Sequence, residues 1–96
     1  MNYRRILWTV GATGERKRIL RGIAEQDKAA AKRMNQRFKA SVARLQTFPG
    51  FGRPGDIPGT RCLTVHKNYQ VIYQVEEEFI EVLAVHHVKR LAIPML

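Results

Sequence analysis

The chain has 96 residues, 45% of them hydrophobic and 26% charged, enough to bury one modest core as a single domain spanning 1–96 and too apolar for a disordered chain. Seventeen Lys and Arg against eight Asp and Glu give a formal net charge of +9, which points to a polyanion or an acidic protein partner; the competing reading is that the excess serves solubility. The single cysteine, Cys62, excludes an intrachain disulfide and a cysteine-based zinc cluster, and no apolar run has the length of a membrane span or a signal peptide, so a cytoplasmic protein is expected.

Residues 3–8, Tyr-Arg-Arg-Ile-Leu-Trp, can form a first strand, with Trp8 as a core anchor. Thr9 then has the hydroxyl to cap a helix, and from Ala12 the apolar residues Ala12, Ile19, Leu20 and Ile23 recur at helical spacing. Gly14 and Gly22 weaken that helix by about 1 kcal/mol each relative to alanine, and Arg16, Lys17, Arg18 and Arg21 make its outer face basic. Asp27 can cap a second helix. Its stripe is Ala30, Ala31, Met34, Phe38, Val42 and Leu45, and Lys28, Lys32, Arg33, Arg37, Lys39 and Arg44 fill most of the remainder. Pro49 and Gly50 stop it.

Residues 49–59 carry three prolines and four glycines and read as a loop. The stretch 60–87 organises the rest. Three runs rich in β-branched and aromatic residues, 61–66, 69–75 and 79–87, are separated by Lys67-Asn68 and by Glu76-Glu77-Glu78, and predict an antiparallel meander. Two helices, each with one apolar stripe, need a sheet to cover. The expected fold is α+β: an N-terminal strand and a helical hairpin packed on an antiparallel sheet of about four strands.

The succession of motifs resembles the RelE/ParE superfamily of bacterial toxins. Trp8-Thr9-Val10-Gly11-Ala12 is similar to its Trp-Ser/Thr-x-x-Ala start. Phe48 to Gly55 with Pro58-Gly59-Thr60-Arg61 is similar to the Pro-x-x-Gly-Arg…Gly-Thr-Arg loop of the ParE-like branch. Residues 69–75 resemble the Tyr-x-Val/Ile-x-Tyr-x-Val strand, and 81–90 resemble the closing strand with its histidine and a following arginine. The resemblance implies the toxin of a type II toxin–antitoxin pair, held inactive by a cognate antitoxin protein. ParE-like members poison DNA gyrase, whereas RelE-like members cut mRNA on the ribosome.

RNA cleavage on this fold needs a general base, a general acid and cations for the developing phosphorane charge. The RelE-like branch implies lysines on the second strand and arginines on the third strand and past the fourth. Here Thr64, Val65, Gln70 and Val88 stand at those places, and Pro94 lies near where a tail tyrosine would fall. The ParE-like reading, gyrase binding without a catalytic site, therefore ranks first. The alternatives are a ribosome-dependent mRNA endonuclease using His66 and His87, and a non-toxic relic that only binds antitoxin. Adjacent His86 and His87 must point to opposite faces of a strand, so at most one serves any groove. Arg53, Arg61, Lys67, Lys89 and Arg90 are the expected target- or antitoxin-binding cations, and the tail from Val88 the segment expected to touch the target. No cofactor or metal site is expected.

Overall fold

In the computed structural model, residues 3–88 are described. Thr9 shows how the N-terminal third is set. Its backbone N–H donates to Val82 O (3.1 Å) and its hydroxyl to Leu83 O (3.2 Å), while the same oxygen accepts from Ala12 N (3.0 Å). One threonine thus ends strand β1 (Arg5–Trp8), caps helix α1 (Val10–Ala24) and ties both to the far end of the chain. Helix α2 (Lys28–Ala43) starts on the Asp27 carboxylate, which accepts from Ala30 N at 3.0 Å, and runs into a 3₁₀ turn (Arg44–Gln46).

Strands β2 (Arg53–Pro54), β3 (Arg61–His66), β4 (Tyr69–Val75) and β5 (Phe79–His87) complete one sheet in the order β1-β5-β4-β3-β2. The meander β3-β4-β5 is antiparallel as its alternation predicts. The sheet differs from the four antiparallel strands expected in two ways. It gains a fifth strand, because two residues of the Pro/Gly loop pair with Arg61 and Cys62. And β1 runs parallel to β5, so the sheet is mixed: the α1–α2 hairpin returns the chain to the opposite edge of the meander, and direction across that distance leaves no local trace in sequence.

Both helices cover one face. Phe38, Val42 and Leu45 of the helical layer meet Leu63, Val65, Val71, Tyr73, Ile80, Val82 and Val85 of the sheet, all buried. Among the described residues no helix lies on the other face. There Thr64 is exposed and Gln70, Ile72, Gln74 and Ala84 are half-buried.

Two irregularities decide which side chains face where. At β5 the register jumps between Ile72↔Ala84 and Tyr73↔Val82, leaving Leu83 as an extra residue. Such a bulge reverses the alternation beyond it. Ile80 and Val82 face the helices before it, and Val85 does so after it. At β3 the pairing skips Val65 between Thr64↔Gln70 and His66↔Tyr69. The carbonyl of bulged Val65 is satisfied by Arg37 Nε of α2 at 2.8 Å.

Candidate functional site

The helix-free face holds a cavity of about 360 Å³, built from the sheet and the 53–60 loop that folds beside it. Its walls include Cys62 of β3, Gln70 and Ile72 of β4, and Leu83, Ala84 and His86 of β5; Arg53, Asp56, Ile57 and Thr60 line it from the loop. The bulge brings Leu83 and Ala84 together here and turns His86 toward this side.

The loop is held at its root. Tyr73, fully buried, donates its hydroxyl to Pro49 O (2.7 Å) and accepts from Gly52 N (2.9 Å). Burial raises the phenol above its ordinary value, against lowering by the Gly52 N–H and by Arg61, so it stays protonated as the Pro49 bond requires. Arg61 reaches over the same turn, with Nη1 donating to Gly52 O (2.7 Å) and more weakly to Gly50 O (3.3 Å). At Gly59 the loop reverses with φ +88, a region glycine enters without cost. Thr60 closes it, its N–H and hydroxyl both donating to Ile57 O.

The residues singled out by sequence thus fall in three places. Arg53 is exposed on the edge strand and lines the cavity. Arg61 is engaged with the carbonyls of Gly50 and Gly52, so its guanidinium braces the root of the loop. Lys67 is exposed in the β3–β4 turn. Lys89 and Arg90, like the rest of the tail after Val88, lie outside the described residues. Cys62 is buried, and burial raises its thiol, with Asp56 adding to the rise and Arg53 opposing it; a protonated thiol is a poor nucleophile.

The histidines are distributed by the two bulges. His66, Tyr69 and His87 form a row across three strands. Tyr69 stands between the imidazoles, with ring centroids 5.9 Å from His66 and 5.1 Å from His87. Phe38 of α2 contacts the same tyrosine at 5.9 Å, so this row belongs to the helix-covered side. His66 and His87 are therefore two strands apart, about 10 Å at the backbone. A groove of about 820 Å³ opens at this end, between β4–β5 and α1 with the turn that follows it; Glu15, Arg18, Tyr69 and His87 are among its walls. In it the Glu15 carboxylate accepts from Val85 N at 2.9 Å.

His86, which sequence reasoning set aside, is the imidazole in the open-face cavity. Strict alternation from Ile80 and Val82 would have placed it under the helices; only the bulge sends it to the other side. Among the described residues no group of three or more His, Cys, Asp or Glu is gathered to hold a metal ion. Nor is any helix there long and apolar enough to cross a membrane.

His66 provides a pH test. Its Nδ1 accepts from Asn68 N at 3.1 Å, and its pKa is lowered, by burial first and then by the nearby charges of Arg37 and Lys67. A folded-state pKa below the unfolded value means that the unfolded chain takes up the proton first. The stabilisation is present above about pH 6.5 and is lost as pH falls through that value toward the folded-state pKa. Thermal unfolding at pH 7.5 and at pH 5 should show a drop for the native chain that His66→Asn reduces. An equal drop in both proteins would disconnect this histidine from acid sensitivity.

Against this geometry stand the likenesses to known proteins. Residues 6–92 match the family described as the ParE toxin of the type II toxin–antitoxin system parDE. The candidate toxin Y4kP of Sinorhizobium fredii is 34% identical over 88 residues, which span 91% of each chain. Among solved structures, the chromosomal ParDE toxin–antitoxin system of P. aeruginosa is similar with a TM-score of 0.78 and 24% identity, over 88% of this chain and 96% of that one. The E. coli DinJ–YafQ toxin–antitoxin complex also shares the fold, with a TM-score of 0.64 and 14% identity over 95% and 99%.

Proposed function

The chain belongs to the ParE toxin family of type II toxin–antitoxin systems, whose toxins bind a cognate antitoxin, and from that premise we propose that it arrests growth by docking on DNA gyrase through its helix-free face. The observation that carries this reading is the character of the open-face cavity. Its floor is Cys62, Ile72, Leu83 and Ala84, and its ionisable groups, Arg53, Asp56 and His86, are few. An apolar floor with a sparse polar rim suits contact with a protein surface. Exposed Leu7 on β1 and Ile57 in the loop add apolar area of the kind that protein contacts bury.

Phosphodiester cleavage would ask more of the site. It needs a base, an acid and cations within reach of one phosphate. The uncharged Thr64 and Gln70 stand where the nuclease branch would imply cationic side chains. His66 and His87 flank Tyr69 on the opposite side of the sheet, and His66 Nδ1 is already engaged with Asn68 N. A second reading, an mRNA endonuclease, draws its support from the open-face cavity, which His86, Arg53 and Asp56 all line.

Two assays on the purified chain decide between them. With gyrase and relaxed plasmid, loss of supercoiling and accumulation of cleaved DNA are expected. In a reconstituted translation reaction, message should remain intact. Ribosome-dependent cutting that His86→Gln removes, with gyrase unaffected, would reverse the assignment. Silence in both assays, with antitoxin still bound, would identify a binding module that has lost its toxicity.

A further inference from the structure

Helix α2 and the 3₁₀ turn that continues it carry a charge pattern that a gyrase contact on the opposite face does not use. At about 100° per residue, Lys28, Lys32 and Lys39 fall within roughly 40° of one another, and Arg33, Arg37 and Arg44 do the same about 140° away. Between the two rows, directly opposite the buried Ala31, Phe38 and Val42, lie Ala29, Gln36, Ala40 and Ala43. All ten of these outward residues are exposed. Neither the helix nor the turn contains an acidic residue, and among the described residues no carboxylate pairs with the six cations, five on α2 and Arg44 on the turn. Arg37 spends its Nε on Val65 O and Arg44 lies over the Phe51 ring at 4.9 Å, which positions both while leaving their charge unneutralised.

We propose that α2 docks along the major groove of duplex DNA, its alanine-lined apex toward the base edges and its lysine and arginine rows on the phosphates of the two strands. Three features favour this ligand. A helix of about 10–12 Å diameter is matched to a groove about 12 Å wide. Small side chains at the apex let the backbone come close, while flanking cations reach outward to the walls. And none of the exposed large apolar residues lies on this helix; Phe51 adjoins its outer face only at the Arg44 end, so most of the face lacks the aromatic or aliphatic anchors on which protein or membrane contacts depend. The contact is chiefly electrostatic, and it is independent of which cellular target the open sheet face engages.

The test is fluorescence anisotropy of a short labelled duplex of arbitrary sequence with the purified chain. Six phosphate contacts predict an affinity loss of about a thousandfold between 50 and 200 mM salt. Lys32→Glu with Arg33→Glu should weaken binding at least about tenfold and flatten that salt dependence. Lys17→Glu with Arg18→Glu, an identical charge change on α1, should cost less. Ala40→Phe changes no charge and should weaken duplex binding while leaving binding of heparin, a polyanion without a groove, unchanged. All these sites are exposed, and circular dichroism checks that each variant folds. Equal losses from the two double reversals, no effect of Ala40→Phe, or single-stranded DNA bound as tightly as duplex would each overturn the groove assignment.

Discussion

Replacing Phe38 by alanine is expected to cost about 3–5 kcal/mol, the largest loss of any single substitution considered. Phe38 is fully buried where α2 crosses the sheet, and its ring meets Tyr69, whose own ring touches His66 and His87. Val42, Leu45 and Val71 of the same core are already packed and buried, so the vacated volume would be filled only in part. For a domain of this size, about 1 kcal/mol moves the melting temperature by about 4–8 °C, so the variant should melt more than 10 °C lower, or fail to fold at 37 °C. Phe38→Leu, which keeps most of the volume, should recover the greater part. If calorimetry found Phe38→Ala within 1 kcal/mol of the native chain, the helix–sheet core described here would not be what holds the domain together.

Gly52→Ala is expected to be nearly as damaging, by a different route. A methyl group there would sit 2.8 Å from Cys62 O and 2.9 Å from both Cε1 and the hydroxyl of Tyr73. Neither neighbour can yield cheaply: one is backbone in the sheet, and the other is a buried ring whose hydroxyl already bridges Gly52 N and Pro49 O. Overpacking of this kind costs about 1–3 kcal/mol. Loss of the bridging hydrogen bonds adds about 1 kcal/mol for each bond broken. Tyr73→Phe separates the two contributions, since it removes the bridge and introduces no clash. The expected order of stability is native, then Tyr73→Phe, then Gly52→Ala, read from denaturant midpoints. Because the 53–60 loop forms one wall of the open-face cavity, both variants should also weaken whatever binds there by more than their stability loss explains. Binding losses that merely follow the unfolded fraction would remove the loop from the site.

The helical layer and the meander were legible in the sequence because each residue there reports its environment through a short period. Ala31, Phe38, Val42 and Leu45 recur at helical spacing and are buried together; the runs from Arg61, Tyr69 and Phe79 match β3, β4 and β5 residue for residue. The caps at Thr9 and Asp27 were equally readable, since a side-chain oxygen before a helix has a local task. What could not be read depends on partners distant in sequence. The parallel register of β1 is one case; the pairing of Arg53 with Cys62, in a loop that holds three prolines, is another. The candidate site suffered most. Leu83 carries no mark that it is an extra residue, yet it determines that His86 faces the open cavity and that Val85 and Tyr69's neighbour His87 do not share that side. Arg61 carries no mark that its guanidinium is committed to Gly50 and Gly52 carbonyls. Charge and composition said that cations would matter, but only the geometry says which of them have already been put to use.

The parallel pairing of β1 with β5 has a consequence for how the chain is made. Arg5 leaves the ribosome well before its partner Phe79, with both helices and β2 to β4 emerging between them. β5 is flanked by β1 and β4, so without it the helical hairpin has no complete surface to rest on. Contacts spanning this much of the chain are slow to form and cannot be assembled piecemeal. A chain cut short before β5 is therefore expected to lack the open-face cavity, whose Leu83, Ala84 and His86 come from that strand. The open sheet face is thus finished only once β5 has been synthesised, so that whatever docks there meets it as a late product of translation.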